Sequence, residues 1–126
     1  MQFSILLAVA FGGAIGSLAR YSVASLVQSA AWPGFPWGIF VVNISGGFIM
    51  GVLAELAALK LNFTPEVRAF LMVGVMGGYT TFSSFSLDSA LLIERGAYAS
   101  AAAYIAGSAV LSVAALFAGL WIVRVL

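Results

Sequence analysis

The sequence predicts an all-α membrane protein with four transmembrane helices, the third of which is broken near its middle. The first observation behind this prediction is composition: 63% of the 126 residues are hydrophobic, whereas five are basic and four acidic. So few charges cannot cover the surface of a water-soluble domain of this size. The second observation is a set of four apolar segments of membrane-spanning length, and the third is a stretch rich in glycine and hydroxyl residues within the third segment.

The residue types that are missing narrow the function. The sequence contains no histidine and no cysteine, which removes the commonest general base, the commonest metal ligand and all thiol chemistry. A net charge of +1 gives no reason to expect a nucleic acid partner. The chain is therefore not expected to be an enzyme.

The four spans follow from segment length and from the residues between segments. A hydrocarbon core of ~30 Å needs about 20 helical residues, and four apolar segments reach that length. Thr64 followed by Pro65 is a helix start signal ahead of the third segment. The segments run from about Phe3 to Val27, from near Pro36 to near Lys60, from near Pro65 to near Glu94, and from about Tyr98 to Val125.

Residues 1–126 are thus expected to form a single four-helix transmembrane domain. The first apolar segment lacks the basic start and the small-residue cleavage site of a signal peptide, so it is interpreted as a retained helix. The expected location is the cell (inner) membrane, crossed several times.

A bundle this thin is expected to form an oligomer. Cationic residues are only slightly more frequent on the side of the termini than on the other side, and so weak a bias permits insertion in both orientations. The expected assembly is an antiparallel, dual-topology homodimer. Three glycine pairs have the spacing of close helix packing, which suits contacts within one chain as well as contacts between subunits: Gly12/Gly16, Gly47/Gly51 and Gly74/Gly78.

The stretch GGYTTFSSF (77–85) is a poor interior for a membrane helix. Adjacent glycines followed by two β-branched threonines disfavour a helix, and nearby hydroxyls can satisfy the backbone groups that a break would open. Two half-helices that meet within a membrane present carbonyl oxygens and N–H groups that bind ions. A kinked but continuous helix is the alternative interpretation.

Candidate anion ligands surround this stretch. Phe82 and Phe85 are three residues apart, and the edges of aromatic rings are electropositive. Asn43 brings a carboxamide into the second span. The structural alternatives are core packing for the phenylalanines, helix–helix contact for the asparagine, and hydrogen bonds to their own backbone for serines. Hydroxyls at steps of four also follow one face of the fourth span: Ser100, Tyr104, Ser108 and Ser112.

Charged residues within the spans are functional candidates. Arg20 is expected either to attract anions at a vestibule or to extend to the interface, and Asp88 either to pair with Arg20 or to cap structure. Glu55 is expected to reach the interface. None of the acidic residues lies clearly at the midplane, which argues against proton-coupled transport.

Three ordered motifs resemble those of the Fluc family of fluoride channels, the camphor-resistance-B-like proteins. GGAIGSLARY (12–21) is similar to the family's first-helix signature, WGIFVVNISGGFIMG (37–51) to its second and GVMGGYTTFSSFSLD (74–88) to its third. The resemblance covers nearly the whole chain. Tyr79, Ser84 and Asp88 depart mildly from the family pattern, which usually has phenylalanine, threonine and glutamate at these positions.

The resemblance implies an antiparallel homodimer with two fluoride pores. Main-chain carbonyls at the helix break of both subunits would hold a structural sodium ion at the dimer centre. The predicted site residues are Asn43, Thr81, Phe82, Ser83, Phe85, Tyr104, Ser108 and Ser112 for the fluoride pore, Arg20 for a vestibule, and Gly77 and Thr80 for sodium.

The expected function is a fluoride-selective channel that lets fluoride leave the cell passively and lowers its cytoplasmic level. The expected partners are fluoride, sodium, a second copy of the chain and the lipid bilayer. A small dual-topology, proton-coupled multidrug exporter is the alternative, but it requires a titratable acid deep in the membrane, and the first helix has none. A helper subunit of a larger complex would explain the glycines but not the clustered hydroxyls.

Overall fold

A computed structural model describes residues 2–126, which form an all-helical bundle. Helix α1 (Phe3–Ala30) and helix α2 (Trp37–Leu59) are the first two spans. The third span consists of α3 (residues 65–79) and α4 (Phe82–Glu94), and α5 (Tyr98–Val125) is the fourth. All four spans are long and apolar enough to cross a membrane, which confirms the predicted fold class.

The predicted helix boundaries agree closely with these bounds. The Thr64 side chain accepts a hydrogen bond from the Val67 N–H at 3.2 Å, with Pro65 at the first helical position. Gly34 and Gly96 have positive φ angles of 102° and 79° in the α1–α2 and α4–α5 connections, where the chain turns sharply. The main difference is α1, which continues three residues beyond the predicted Val27, to Ala30.

Helix α3 is not uniform. It is α-helical over Pro65–Arg68, widens to a π-helix over Ala69–Val75 and is α-helical again over Met76–Tyr79. Wide turns of this kind often lie near functional sites. This segment was not predicted from the sequence, because residue types alone do not distinguish i−5 from i−4 backbone hydrogen bonding.

The predicted glycine pairs lie at helix contacts within the chain. Helix α1 packs along α3, and α2 packs along α5. A Cβ atom on Gly78 would lie 2.6 Å from the Gly13 carbonyl oxygen, and one on Gly47 would lie 2.7 Å from the Ser112 carbonyl oxygen. Only glycine therefore permits these backbone separations.

The outside of the bundle is apolar, and the buried core is small. Large apolar side chains such as Phe3, Leu18 and Phe117 are exposed, as expected of a surface that faces lipid. The core consists of two clusters, one around Val42, Met76 and Tyr79 and the other around Leu92, Ala101 and Tyr104. That residues 1–126 form one domain stays a prediction.

One charged side chain forms an ion pair that was not predicted. Glu55 is buried against the end of α5, where the Arg124 guanidinium pairs with its carboxylate at 2.9 Å. That Glu55 reaches the membrane interface stays a prediction. Arg124 is 69 residues away in the sequence, so the pairing could not be seen from local spacing.

Candidate ion pathway

The third span is broken at Thr80 and Thr81, as predicted. Both residues have extended backbone conformations, with φ −83° and ψ 157° for Thr80 and φ −151° and ψ 123° for Thr81. The Thr80 hydroxyl donates to the Met76 carbonyl oxygen at 2.9 Å at the end of α3. The Thr81 hydroxyl oxygen accepts from the Ser84 N–H at 3.2 Å and so caps the start of α4. Helix α3 therefore ends and α4 begins with side-chain hydrogen bonds.

Asn43 on α2 binds the backbone of the break. Its Oδ1 accepts a hydrogen bond from the Thr81 N–H at 2.9 Å, and its Nδ2 donates to the Thr81 carbonyl oxygen at 3.1 Å. A carboxamide has two N–H donors, so one remains beyond this pair. Of the two interpretations of Asn43, helix–helix contact is observed, and a donor for an anion is still available.

A cavity of about 410 Å³ lies beside the break, between α2, α4 and α5. Its lining combines hydroxyl and amide groups with aromatic rings, and it contains seven of the predicted site residues: Asn43, Thr80, Thr81, Phe82, Phe85, Ser108 and Ser112. Three lining residues on α2 were not among the predicted ones, because glycine and methionine carry no polar signal: Gly46, Gly47 and Met50. The four-residue spacing from Gly46 to Met50 was the available clue, because it continues the helical face that includes Asn43.

Two serines in this cavity have unused hydroxyls. Within residues 2–126, the Oγ atoms of Ser108 and Ser112 are buried and have no hydrogen-bond partner. Other serines in the spans behave differently: Ser22 and Ser89 donate to the carbonyl oxygen four residues earlier in their own helices. A buried hydroxyl without a partner costs free energy, so these two are poised to bind a group that enters the cavity.

Three aromatic rings pack in a row from the break to α5. The ring centroids of Phe82 and Phe85 are 5.3 Å apart, and those of Phe85 and Tyr104 are also 5.3 Å apart. Tyr104 is fully buried and does not line the cavity; its hydroxyl donates to Asp88 Oδ2 at 3.0 Å. Asp88 thus pairs with Tyr104 and not with Arg20.

Three further predicted residues lie away from the cavity lining. Ser83 is exposed, and its hydroxyl lies 3.3 Å from the hydroxyl of Thr81. Gly77 is exposed at the end of α3. Arg20 is half-buried in α1 and makes no ion pair within residues 2–126.

The fold and the site together define a class: a multi-pass membrane protein in which an interrupted helix borders a cavity lined by free hydrogen-bond donors. The chain belongs to the CrcB-like, camphor resistance (CrcB) family, whose family model matches residues 7–120.

Its relatives include proteins named fluoride-specific ion channel FluC. The protein of that name from Nitrobacter winogradskyi is 52% identical over 126 residues, which is the full length of both chains. The one from Rhodospirillum centenum is 57% identical over 122 residues, or 95% of each chain. The one from Agrobacterium fabrum is 56% identical over 112 residues, covering 89% of this chain and 90% of the relative.

Proposed function

We propose that this protein is a fluoride-selective ion channel, not an enzyme, and that it allows passive fluoride efflux and so lowers cytoplasmic fluoride. The observation that carries the proposal is the pair of buried, unpartnered hydroxyls of Ser108 and Ser112 in the cavity beside the helix break. The names of the relatives, which are 52% to 57% identical to this chain, support fluoride as the ion.

The chemistry of the lining suits a small and strongly hydrated anion. A pore must replace the water of such an ion with donors, yet a fixed positive charge would hold the ion too tightly for rapid exit. The serine and threonine hydroxyls and the remaining N–H of Asn43 are neutral donors, and the rings of Phe82 and Phe85 present electropositive edges. No charged side chain lines the cavity within residues 2–126.

The proposed assembly is an antiparallel homodimer with one pore in each half. Phe82 is 79% exposed beside the cavity, and Gly77 exposes backbone in the middle of a membrane span. Lipid cannot satisfy exposed backbone groups, so a protein surface is needed there. A second copy in the opposite orientation supplies one, and the slight charge bias permits that orientation.

The proposed structural ion is sodium, held by the main-chain carbonyls of Gly77 and Thr80. The residues fit such an ion because the amides that would reach these carbonyls in a continuous helix bind elsewhere: the Thr81 N–H to Asn43, and the Ser84 N–H to the Thr81 hydroxyl. Carbonyl oxygens are suitable ligands for hard cations. When bound, the ion would offset the carbonyl dipoles and raise the local potential for anions.

The remaining predicted residues are assigned to the approaches of the pathway. Arg20 would attract anions at a vestibule, because its guanidinium is half-buried and has no acidic partner within residues 2–126. Tyr104 and Ser83 would act beside the lining, Tyr104 through the contact of its ring with Phe85 and Ser83 through its hydroxyl next to that of Thr81.

The test is an efflux assay with the purified protein in liposomes loaded with fluoride or chloride. A fluoride channel releases fluoride much faster than chloride, and Phe82→Ile or Asn43→Ala slows the release more than Asp88→Asn does. A proton-coupled exporter would instead be abolished by Asp88→Asn. Liposomes that retain fluoride as well as protein-free ones would refute the proposal and would favour a helper subunit.

A further inference from the structure

We infer that Asn43 and Thr81 are positioning residues that keep the third span open, by capturing the two backbone N–H groups that would otherwise close it. This inference deepens the proposed function and rests on it, since the opened segment borders the cavity of the proposed pathway.

The backbone N–H groups at the break donate to acceptors that differ from those in a continuous helix. In a continuous α-helix the N–H of each residue donates to the carbonyl four residues earlier. The Thr81 N–H would then reach Gly77, and the Ser84 N–H would reach Thr80. Instead the Thr81 N–H donates to Asn43 Oδ1 at 2.9 Å, and the Ser84 N–H donates to Thr81 Oγ1 at 3.2 Å. Side-chain oxygens have therefore replaced both carbonyls as acceptors.

Asn43 also satisfies the other backbone group of the same residue. Its Nδ2 donates to the Thr81 carbonyl oxygen at 3.1 Å, so the carboxamide pairs with extended Thr81 as a neighbouring β-strand would. Thr81 is only 8% exposed, and unpaired backbone groups at such a position carry a large desolvation penalty. An extended residue inside a membrane span is tolerated here because Asn43 pairs with both of its polar backbone groups.

Helix α2 also contacts the two residues that precede Thr81. The Tyr79 hydroxyl lies 3.0 Å from Ser45 Oγ, which itself lies within hydrogen-bond distance of the Val42 carbonyl oxygen at 3.1 Å. A Cβ atom on Gly46 would collide with the Thr80 side chain. Three residues of α2, Asn43, Ser45 and Gly46, therefore lie against residues 79–81, and this contact fixes the position of the break.

This arrangement couples the wall of the cavity to the main-chain carbonyls of Gly77 and Thr80. By accepting the Thr81 N–H, Asn43 leaves the Gly77 carbonyl without its helical donor, and Thr81 does the same for Thr80. Asn43 thus acts on the pathway in two ways: it presents one N–H to the cavity, and it keeps the Gly77 carbonyl free.

Amide hydrogen exchange at Thr81 in the detergent-solubilised full chain tests the inference. Asn43→Leu removes both the acceptor and the donor at nearly constant size, and we expect Thr81 to exchange about tenfold faster, the factor that corresponds to one lost hydrogen bond of about 1.4 kcal/mol. Asn43→Asp keeps an oxygen at the position that accepts the Thr81 N–H but loses the donor to the Thr81 carbonyl oxygen, so we expect exchange faster than in the wild type and slower than in Asn43→Leu. Equal exchange in the wild type and in Asn43→Leu would overturn the inference.

Ser108→Ala is the matched control. It removes a polar group from the same cavity without touching the break, so Thr81 exchange should stay at the wild-type rate. Acceleration by Ser108→Ala as large as that by Asn43→Leu would show that any change in the cavity loosens the span, and it would overturn a specific role for Asn43. The exchange measurement does not involve fluoride. A wild type that passes no fluoride would therefore refute the proposed function, whereas the role of Asn43 would still be decided by the exchange rate of Thr81.

A second readout follows the freed carbonyls. The thermal unfolding midpoint of the wild type should be higher in sodium chloride than in choline chloride of equal concentration, and Asn43→Leu should remove the difference while Asn43→Asp keeps it. A difference that persists in Asn43→Leu would contradict the coupling between Asn43 and the Gly77 carbonyl.

Discussion

Ser108 and Ser112 differ from other serines of the membrane spans in what their hydroxyls bind. Most serine hydroxyls in a membrane helix donate a hydrogen bond to a carbonyl oxygen of the preceding turn, as in Ser22, Ser86 and Ser89. The two hydroxyls on α5 forgo that bond and stay unpaired beside the cavity. Their unsatisfied state costs stability and provides donors for an ion, so stability and permeation should respond to their loss in opposite directions.

Removing these hydroxyls should therefore slow fluoride efflux without lowering the stability of the protein. We expect Ser108→Ala and Ser112→Ala each to lower fluoride efflux about tenfold, while the free energy of unfolding stays constant or rises by up to about 1 kcal/mol as an unpaired polar group is lost. Efflux from liposomes and thermal unfolding in detergent measure the two effects. Ser22→Ala, whose hydroxyl is paired, is the control and should leave efflux unchanged; normal efflux in both α5 variants would argue against the proposed lining.

At the scale of helices, the contact between α1 and α3 depends on backbone-to-backbone distance. The carbonyl oxygen of Gly13 and the backbone nitrogen of Ser17 leave no space for a Cβ on Gly78, whereas a Cβ on Gly13 itself would meet nothing within 4 Å. Two glycines at one helix contact thus differ completely in what they tolerate.

Alanine substitution should separate the two glycines. Gly78→Ala must push α1 away from α3, and we expect a loss of about 1–3 kcal/mol of stability, the usual cost of overpacking. Gly13→Ala should be neutral or slightly stabilising, because alanine favours helix over glycine. Thermal unfolding of the two purified variants is the measurement, and equal destabilisation would contradict the close contact.

Signals confined to one segment predicted the helices, whereas contacts between helices could not be predicted. Apolar length fixed the spans, Thr64 and Pro65 marked the start of the third, and the glycines and threonines of residues 77–81 marked its break, since these features depend on local chemistry. The Asn43–Thr81 pair spans 38 residues and the Glu55–Arg124 pair spans 69. Both depend on which helices become neighbours, and the sequence pattern leaves that open.

The candidate site was predicted to a similar extent. Seven of the expected residues line one cavity. Five of the seven are polar, and polar residues in an apolar sequence stand out wherever they lie. What each does was harder to predict: Asn43 has two interpretations that only its contact with Thr81 separates, and Tyr104 is engaged by Asp88. Side-chain partners decide these roles, and residue type alone does not.

For the whole molecule, the exposed backbone of Gly77 marks the surface that the proposed second copy would cover. The chain contains no cysteine, so a single introduced thiol reports only on its own position. Gly77 has open space around it, and a side chain there should not disturb the fold.

Gly77→Cys should cross-link two copies of the chain. In an antiparallel dimer joined at the helix break, the two thiols face each other, and we expect an oxidant that acts within membranes to produce a disulfide-bonded dimer on a non-reducing gel. Tyr98→Cys, at an exposed position near the end of a span, is the control and should stay monomeric. Dimers from the control alone would argue against the proposed arrangement.

The lining of the cavity also determines how fluoride efflux should depend on pH. No lining side chain carries an ionisable group, so no proton can be gained or lost there between about pH 5 and pH 9. We expect fluoride efflux from liposomes buffered equally on both sides to vary less than about twofold over this interval, and a steep bell-shaped profile would point to a titrating residue in the pathway. Fluoride efflux would thus continue in an acidic medium, where weak acids enter a cell most readily.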